Sequence, residues 1–192
     1  MKRQPPSPHR AFTLLELLIV MAIITALTAL TVPAVVSLRD SWQMASASQS
    51  LLGMFDLARQ TALARNRSVL IRLYRSGSDA PYHSFSASVI EDSGERQPLT
   101  RRQHLPAGLC LSASPEHSHP PESATGTETF ADGSSALYSE FRFRRDGSTD
   151  LPASDFWYVT LLRESDLAQS EPKRFLTLLI EPTSGHLQPF QP

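Results

Sequence analysis

The sequence predicts an α+β fold in which one long amino-terminal helix, apolar in its first half and amphipathic in its second, packs on an antiparallel β-sheet. Three patterns carry that expectation. Residues 17–36 form an uncharged, almost wholly apolar run. Met44, Leu51, Phe55, Ala58 and Ala62 then recur at helical spacing, and from Val69 onward apolar and polar residues alternate with the period of a strand.

The chain has 192 residues, with 18 Lys and Arg against 19 Asp and Glu and 41% hydrophobic residues. That leaves room for one modest domain plus an appendage, and excludes a large multidomain enzyme. The near balance of charge argues against a histone-like nucleic-acid binder and against a disordered acidic tail. Cys110, the single cysteine, has no internal disulfide partner and cannot build a multi-cysteine zinc site. Between Leu109 and Leu111 it reads as a small buried hydrophobe.

The first element is a basic leader, residues 1–11, with Lys2, Arg3 and Arg10, no acid and three prolines. Behind it, Leu17–Val36 would reach roughly 30 Å as a helix, the hydrocarbon thickness of a bilayer. The run is therefore long enough to cross a membrane once. The positive leader predicts a cytoplasmic amino terminus and a carboxyl-terminal domain on the far side. Glu16 stands at the front of the span, where an ionised carboxylate costs on the order of 3 kcal/mol near a membrane centre and less towards the interface. It either finds a positive partner or, as an interfacial residue, snorkels or stays protonated.

The string Arg10-Ala-Phe-Thr-Leu-Leu-Glu-Leu-Leu-Ile-Val-Met-Ala-Ile-Ile24 closely resembles the type III signal of type IV pilins and of the pseudopilins of type II secretion. The resemblance implies cleavage by a prepilin peptidase between Ala11 and Phe12, N-methylation of Phe12, and use of Glu16 in filament assembly. A cut there places a new α-amino group four residues before Glu16, one helical turn away; the amino group of a neighbouring subunit would serve equally. Pro33 falls where that family often kinks its long helix. Ala11 departs from the pattern, since the family usually has glycine before the cut. An ordinary secretory signal would have a shorter apolar core and a cut beyond it. A plain signal anchor would explain length and charge, but not Phe-Thr-Leu-Leu-Glu.

Beyond Pro33 the stripe from Met44 to Ala62 continues the helix to about Arg65, with Gln49, Asp56, Arg59 and Gln60 on the opposite side. Proline removes a backbone donor and crowds the preceding turn, so a bend at Pro33 is expected. Val69, Ile71 and Leu73 then alternate with Leu70, Arg72 and Tyr74, and Phe85, Ala87 and Val89 alternate with serines across a Ser-Gly-Ser-Asp-Ala-Pro loop, which predicts a hairpin. Phe141 and Phe143 interleave with Glu140, Arg142 and Arg144 before an Asp146-Gly147 turn, and further strands follow at 156–163 and 175–181. Between Ser112 and Ala136, Ser, Thr, Pro and Gly fill 14 of 25 positions, which predicts a mobile surface loop.

The order of these segments, with Leu57-Ala-Arg-Gln-Thr-Ala62 ending the helix, the Phe-Arg-Phe-Arg-Arg-Asp-Gly147 turn and the closing Ile180-Glu-Pro-Thr-Ser-Gly185, resembles the minor pseudopilin H and FimT-like minor pilins. It is also similar to the pilin-like Verru-Chthon cassette proteins, type D. The resemblance implies the divisions 1–11 leader, 12–36 transmembrane and assembly helix, 37–66 amphipathic continuation and 67–192 β-domain with its loop at about 112–136. It implies a bacterial inner-membrane protein whose β-domain is periplasmic before it joins a pseudopilus or pilus-like filament. The partners implied are other pilins or pseudopilins, the prepilin peptidase and inner-membrane lipid.

No catalytic, cofactor or metal site is expected. The serines lie in turn contexts and no Gly-x-Ser-x-Gly elbow occurs. His117 and His119 sit in the predicted loop as solvated residues without a third ligand, and the Asp-Gly pairs at 132–133 and 146–147 read as turns, not calcium loops. FimT-like minor pilins can bind DNA during uptake, which points to Arg142 and Arg144, with Arg145 nearby and Arg101 and Arg102 elsewhere. With the leader set aside the rest of the chain is net acidic, which disfavours broad affinity for phosphates. Alternation puts Arg142 and Arg144 on a solvated strand face and Arg145 on the side of the phenylalanines.

Overall fold

The computed structural model describes residues 13–172 and 174–191, without the side chains of residues 30–38. The leader, Ala11 and Phe12 lie outside the described residues. The chain divides into two compact units, residues 1–42 and 43–192, and helix α1 (Leu14–Arg65) contributes to both. It runs through Pro33, whose side chain is outside the description.

In the first unit the described apolar residues are exposed. Leu17, Leu18, Ile19, Val20, Met21, Ile23, Ile24 and Leu27 are all open, and since consecutive helical positions are about 100° apart they clothe every side of the helix. The hydroxyls of Thr25 and Thr28 donate to the carbonyl oxygens of Met21 and Ile24 at 2.8 and 2.7 Å, so neither interrupts the apolar surface with an unpaired donor. Among the described residues no helix is long and apolar enough to cross a membrane. The described side chains of the apolar run stop at Ala29.

In the second unit the amphipathic half of α1 buries Met44, Ala47, Leu51, Met54, Phe55, Ala58 and Ala62, the expected stripe with two members added. Gln49, Asp56 and Gln60 face outward as expected. Arg59 differs: it is half-buried, and its Nε donates to the carbonyl of Ser184 at 3.1 Å. The helix ends where Asn66 takes a left-handed φ of 51° and the Arg67 N–H returns to the Ala62 carbonyl at 3.3 Å, satisfying a terminal acceptor.

Against this face lies a ten-stranded antiparallel sheet with the order β10-β9-β8-β5-β2-β1-β7-β6, β3 and β4 also pairing with β2. The strands are β1 (Ser68–Arg75), β2 (Tyr82–Ile90), β3 (Arg96–Pro98), β4 (Gln103–His104), β5 (Leu109–Leu111), β6 (Ala124–Thr129), β7 (Ser135–Phe143), β8 (Trp157–Arg163), β9 (Leu176–Ile180) and β10 (Leu187–Phe190). The predicted β1–β2 hairpin is present with Ile71 opposite Ala87 and Leu73 opposite Phe85, and on its other side β1 sets Val69 opposite Phe143 and Ile71 opposite Phe141. Because paired residues share a face, these side chains form one apolar surface that meets α1. Phe55 and Phe141 pack edge to face with ring centroids 5.8 Å apart.

The segment 112–136 differs from the expected mobile loop. It contains β6, which pairs along its whole length with β7, and His119 exchanges backbone hydrogen bonds with Tyr158 at 3.0 and 2.9 Å. Its polar composition reflects an edge position, where side chains meet water while the backbone is still paired. His117 is buried, contrary to the expectation of a solvated residue, and its carbonyl accepts the Thr160 hydroxyl at 2.5 Å. His119 is exposed, with its ring 4.6 Å from that of Trp157. Arg145 also departs from expectation: β7 stops at Phe143, so alternation does not extend to it, and it occupies the exposed turn beyond.

Candidate functional site

Thr13 precedes the first helical residue and caps the helix. Its hydroxyl oxygen accepts the N–H of Glu16 at 3.2 Å, and its carbonyl accepts that of Leu17 at 3.2 Å. Thr-Leu-Leu-Glu thus has the spacing of a capping box, with Thr at the cap and Glu three residues on. Glu16 lies in the first helical turn, where the unpaired N–H groups favour a negative charge. It is exposed, as are Leu14 at 85% and Leu15 at 69%. A single acid therefore heads a helical segment, residues 14–29, that is otherwise uncharged and carries apolar side chains on all sides. A surface of that kind requires lipid or protein cover.

The sequence of this segment decides the comparison with known proteins. The family model of the prokaryotic N-terminal methylation motif matches residues 6–32. No curated protein matches the chain. Among solved structures, the minor pseudopilin EpsH of the type 2 secretion system of Vibrio cholerae is similar at 12% identity, with 78% of this chain and 98% of that one covered and a TM-score of 0.48. The type IV minor pilin FimU of Pseudomonas aeruginosa is similar at 15% identity, with 80% and 95% covered and a TM-score of 0.47. In this chain the methylation motif includes Ala11 and Phe12, which lie outside the described residues, and Glu16, which does not.

Of the arginines singled out from the sequence, Arg142 ends β7 with Phe143, and Arg144 and Arg145 follow in the turn beyond, whereas Arg101 and Arg102 stand between β3 and β4. Arg142 pairs with Asp150 at 3.0 Å and Arg145 with Asp92 at 3.2 Å. Arg144 is exposed and has no carboxylate at ion-pair distance among the described residues. Arg102 lies over the ring of Phe130, 3.7 Å from its centroid. The two Asp-Gly turns are stabilised from within: Asp132 accepts from Ser134 and Asp146 from Ser148, and these hydroxyls hold both carboxyls below their ordinary range. Among the described residues no group of three or more His, Cys, Asp and Glu could hold a metal ion.

One cluster escaped the sequence reading. Arg72 on β1 donates to Glu140 on β7 at 2.8 Å and to Glu128 on β6 at 2.7 Å, and its guanidinium lies 3.9 Å from the Tyr138 ring centroid. Glu128 also accepts the hydroxyl of Tyr74 at 2.7 Å. Burial works against the charge of Arg72, but the hydrogen bonds to Tyr138, Glu140 and Glu128 outweigh it and keep its pKa above the ordinary value. Burial likewise pushes the Tyr74 phenol up to about 12. The three residues joined to Arg72, with Tyr74 joined through Glu128, span 74–140 in sequence, so no short motif could reveal them. The one local signal was an arginine within the apolar strand 69–73.

Proposed function

We propose that this chain is a non-enzymatic, pilin-like minor subunit of a pseudopilus or type IV pilus-like filament, of the minor pseudopilin type. It is held in the inner membrane before assembly, amino terminus in the cytoplasm and β-domain in the periplasm. The observation that carries the reading is the match of the methylation-motif family to residues 6–32, on a helical segment headed by one acid and, through its described side chains to Ala29, apolar on every side. A prepilin peptidase cuts between Ala11 and Phe12, and Phe12 is N-methylated. The new amino terminus of the same or a neighbouring subunit pairs with Glu16. Because that pair neutralises a carboxylate in a medium of low dielectric constant, it sets the axial position of one helix against the next. Residues 12–36 first face lipid and then the corresponding helices of other subunits, with a bend at Pro33 accommodating the path. The Phe-Arg-Phe strand favours a minor over a major subunit.

Intact-mass analysis of the chain extracted from its native membrane tests this. Loss of residues 1–11 with the gain of one methyl group is expected. Retention of the leader, or a cut at a later bond, would refute it and leave a simple tethered domain. A DNA-binding minor pilin is the second reading; of the three arginines at the end of β7 it rests on Arg144, because Arg142 and Arg145 are at ion-pair distance from Asp150 and Asp92.

A further inference from the structure

We propose that Trp42 is a lipid-interface anchor: its indole lies among the headgroups of the periplasmic leaflet of the inner membrane and fixes the depth of α1 before assembly. This rests on the membrane-held reading above and adds to it a residue and a layer of the bilayer. Trp42 ends the first unit, and between Thr13 and that end it is the one aromatic residue. It is 70% exposed. An indole that open leaves a large apolar surface in water, whereas in a headgroup layer its ring meets the upper acyl chains and its N–H keeps a polar partner.

Length along the helix selects the lipid. The helix α1 is continuous from Leu14 to Arg65, so at about 1.5 Å per residue Trp42 lies about 39 Å along it from Glu16 and about 9 Å beyond Val36. A bilayer is about 30 Å thick across its hydrocarbon and about 40–45 Å across its headgroups. With residues 17–36 in the hydrocarbon, the Trp42 Cα falls near the outer limit of the headgroup layer. Helical side chains lean towards the amino terminus and cover the preceding turn, which carries the indole back into that layer. Glu16 is then left at the opposite, cytoplasmic boundary, where a charged carboxylate costs less than at the centre.

Arg39 supports the same placement. It is exposed and stands three residues before Trp42, the spacing of neighbours on a helix surface. It is also the first basic residue after the apolar run, so its guanidinium enters at the depth of the lipid phosphates, and its long stem lets the charge reach outward to them. Before assembly lipid already surrounds the helix as far as Val36. The cover that continues along it past Arg39 to Trp42 is the headgroup layer of that same bilayer.

The test places the full chain in vesicles of phosphatidylethanolamine and phosphatidylglycerol whose acyl chains carry bromine, which quenches indole fluorescence on contact, either near the glycerol or near the chain ends. The emission of Trp42 is the difference between the unaltered chain and Trp42→Phe, since Trp157, the other tryptophan, remains in both. Expected is an emission maximum at shorter wavelength than that of indole in water, with the bromines near the glycerol quenching Trp42 more strongly than those near the chain ends. Quenching without that preference would overturn the proposal, as would the emission of indole in water. An emission shifted to shorter wavelength yet untouched by either brominated lipid would place Trp42 against a second copy of the chain and overturn it too. If the unaltered chain does not float with the vesicles in a density gradient, the membrane reading falls and takes this inference with it, which separates that failure from the others.

Discussion

Gly185 lies against the carbonyl oxygen of Gly147, so closely that a Cβ at position 185 would collide with it. Gly147 in turn faces Leu63 of α1, whose Cδ2 would be 3.1 Å from a Cβ built there. Around this contact the Thr149 N–H donates to the Pro182 carbonyl at 2.8 Å, and Arg59 holds the Ser184 carbonyl. The closing turn, the turn after β7 and the end of α1 therefore meet at one point. The two glycine turns that stand far apart in the sequence are two halves of a single packing feature.

Gly185→Ala should destabilise the β-domain by about 2–3 kcal/mol, combining a backbone collision with a left-handed φ of 63°. Gly94→Ala provides the comparison: its φ is 82° but no atom lies within 4 Å of a Cβ, so roughly 1–2 kcal/mol is expected. Thermal unfolding of the detergent-solubilised full chain, followed by near-ultraviolet circular dichroism, reads the difference. Equal melting temperatures for the two variants would show that the Gly185–Gly147 contact is dispensable.

Arg72→Met should cost about 3 kcal/mol, because it removes the 2.8 Å partner of Glu140, only 6% exposed, and leaves it the longer contact to Arg96 at 3.9 Å. Converting Glu140 to leucine in the same chain should restore much of that loss, since an apolar pair then replaces a buried charge. Urea midpoints of the single and double variants measure the coupling. Additive losses would contradict the pairing.

Alkaline pH should weaken the fold through Cys110 and Tyr74. Burial raises Cys110 from its ordinary 9.0 to about 12, with the nearby Glu164 charge adding to the effect, and raises Tyr74 from 10.0 to about 12. Both groups hold their protons more tightly when folded, so their contribution is full below about pH 9 and is lost as pH rises towards 12. A urea midpoint that falls progressively over this interval is expected, with Cys110 resisting thiol reagents at pH 8 until the chain unfolds. Rapid labelling of the folded chain at that pH would contradict the burial of Cys110.

Glu16→Ala should leave membrane insertion and β-domain unfolding unchanged, because Glu16 belongs to the first unit and removing a charge favours an apolar environment. Incorporation into filaments should fall sharply. Quantifying the variant in sheared filaments and in membranes separates the two effects, and normal incorporation would defeat the assembly mechanism.

Much of the fold was legible. The stripe Met44–Ala62, the β1–β2 hairpin and the Phe141–Phe143 strand are local periodicities, and each appears where its spacing placed it. The strand β6 was not legible, because an edge strand buries too little apolar surface to advertise itself and its Thr and Gly residues resemble those of a loop. Arg145 was misplaced for the related reason that alternation ends with the strand. In the candidate site Glu16 was singled out from the sequence, while the cap by Thr13 emerged with the structure, although Thr-Leu-Leu-Glu has the spacing of a capping box.

What the amino-acid sequence determined by itself is whatever depends on neighbours within a turn or a strand: the methylation motif, the apolar and amphipathic halves of α1, the strand faces and the glycine turns. What only the tertiary structure decided is which distant residues meet. The Arg72 cluster, the Gly185–Gly147 contact and the pairing of Arg145 with Asp92 depend on strand order and register, and these minimise the burial of unpaired charge across the whole sheet.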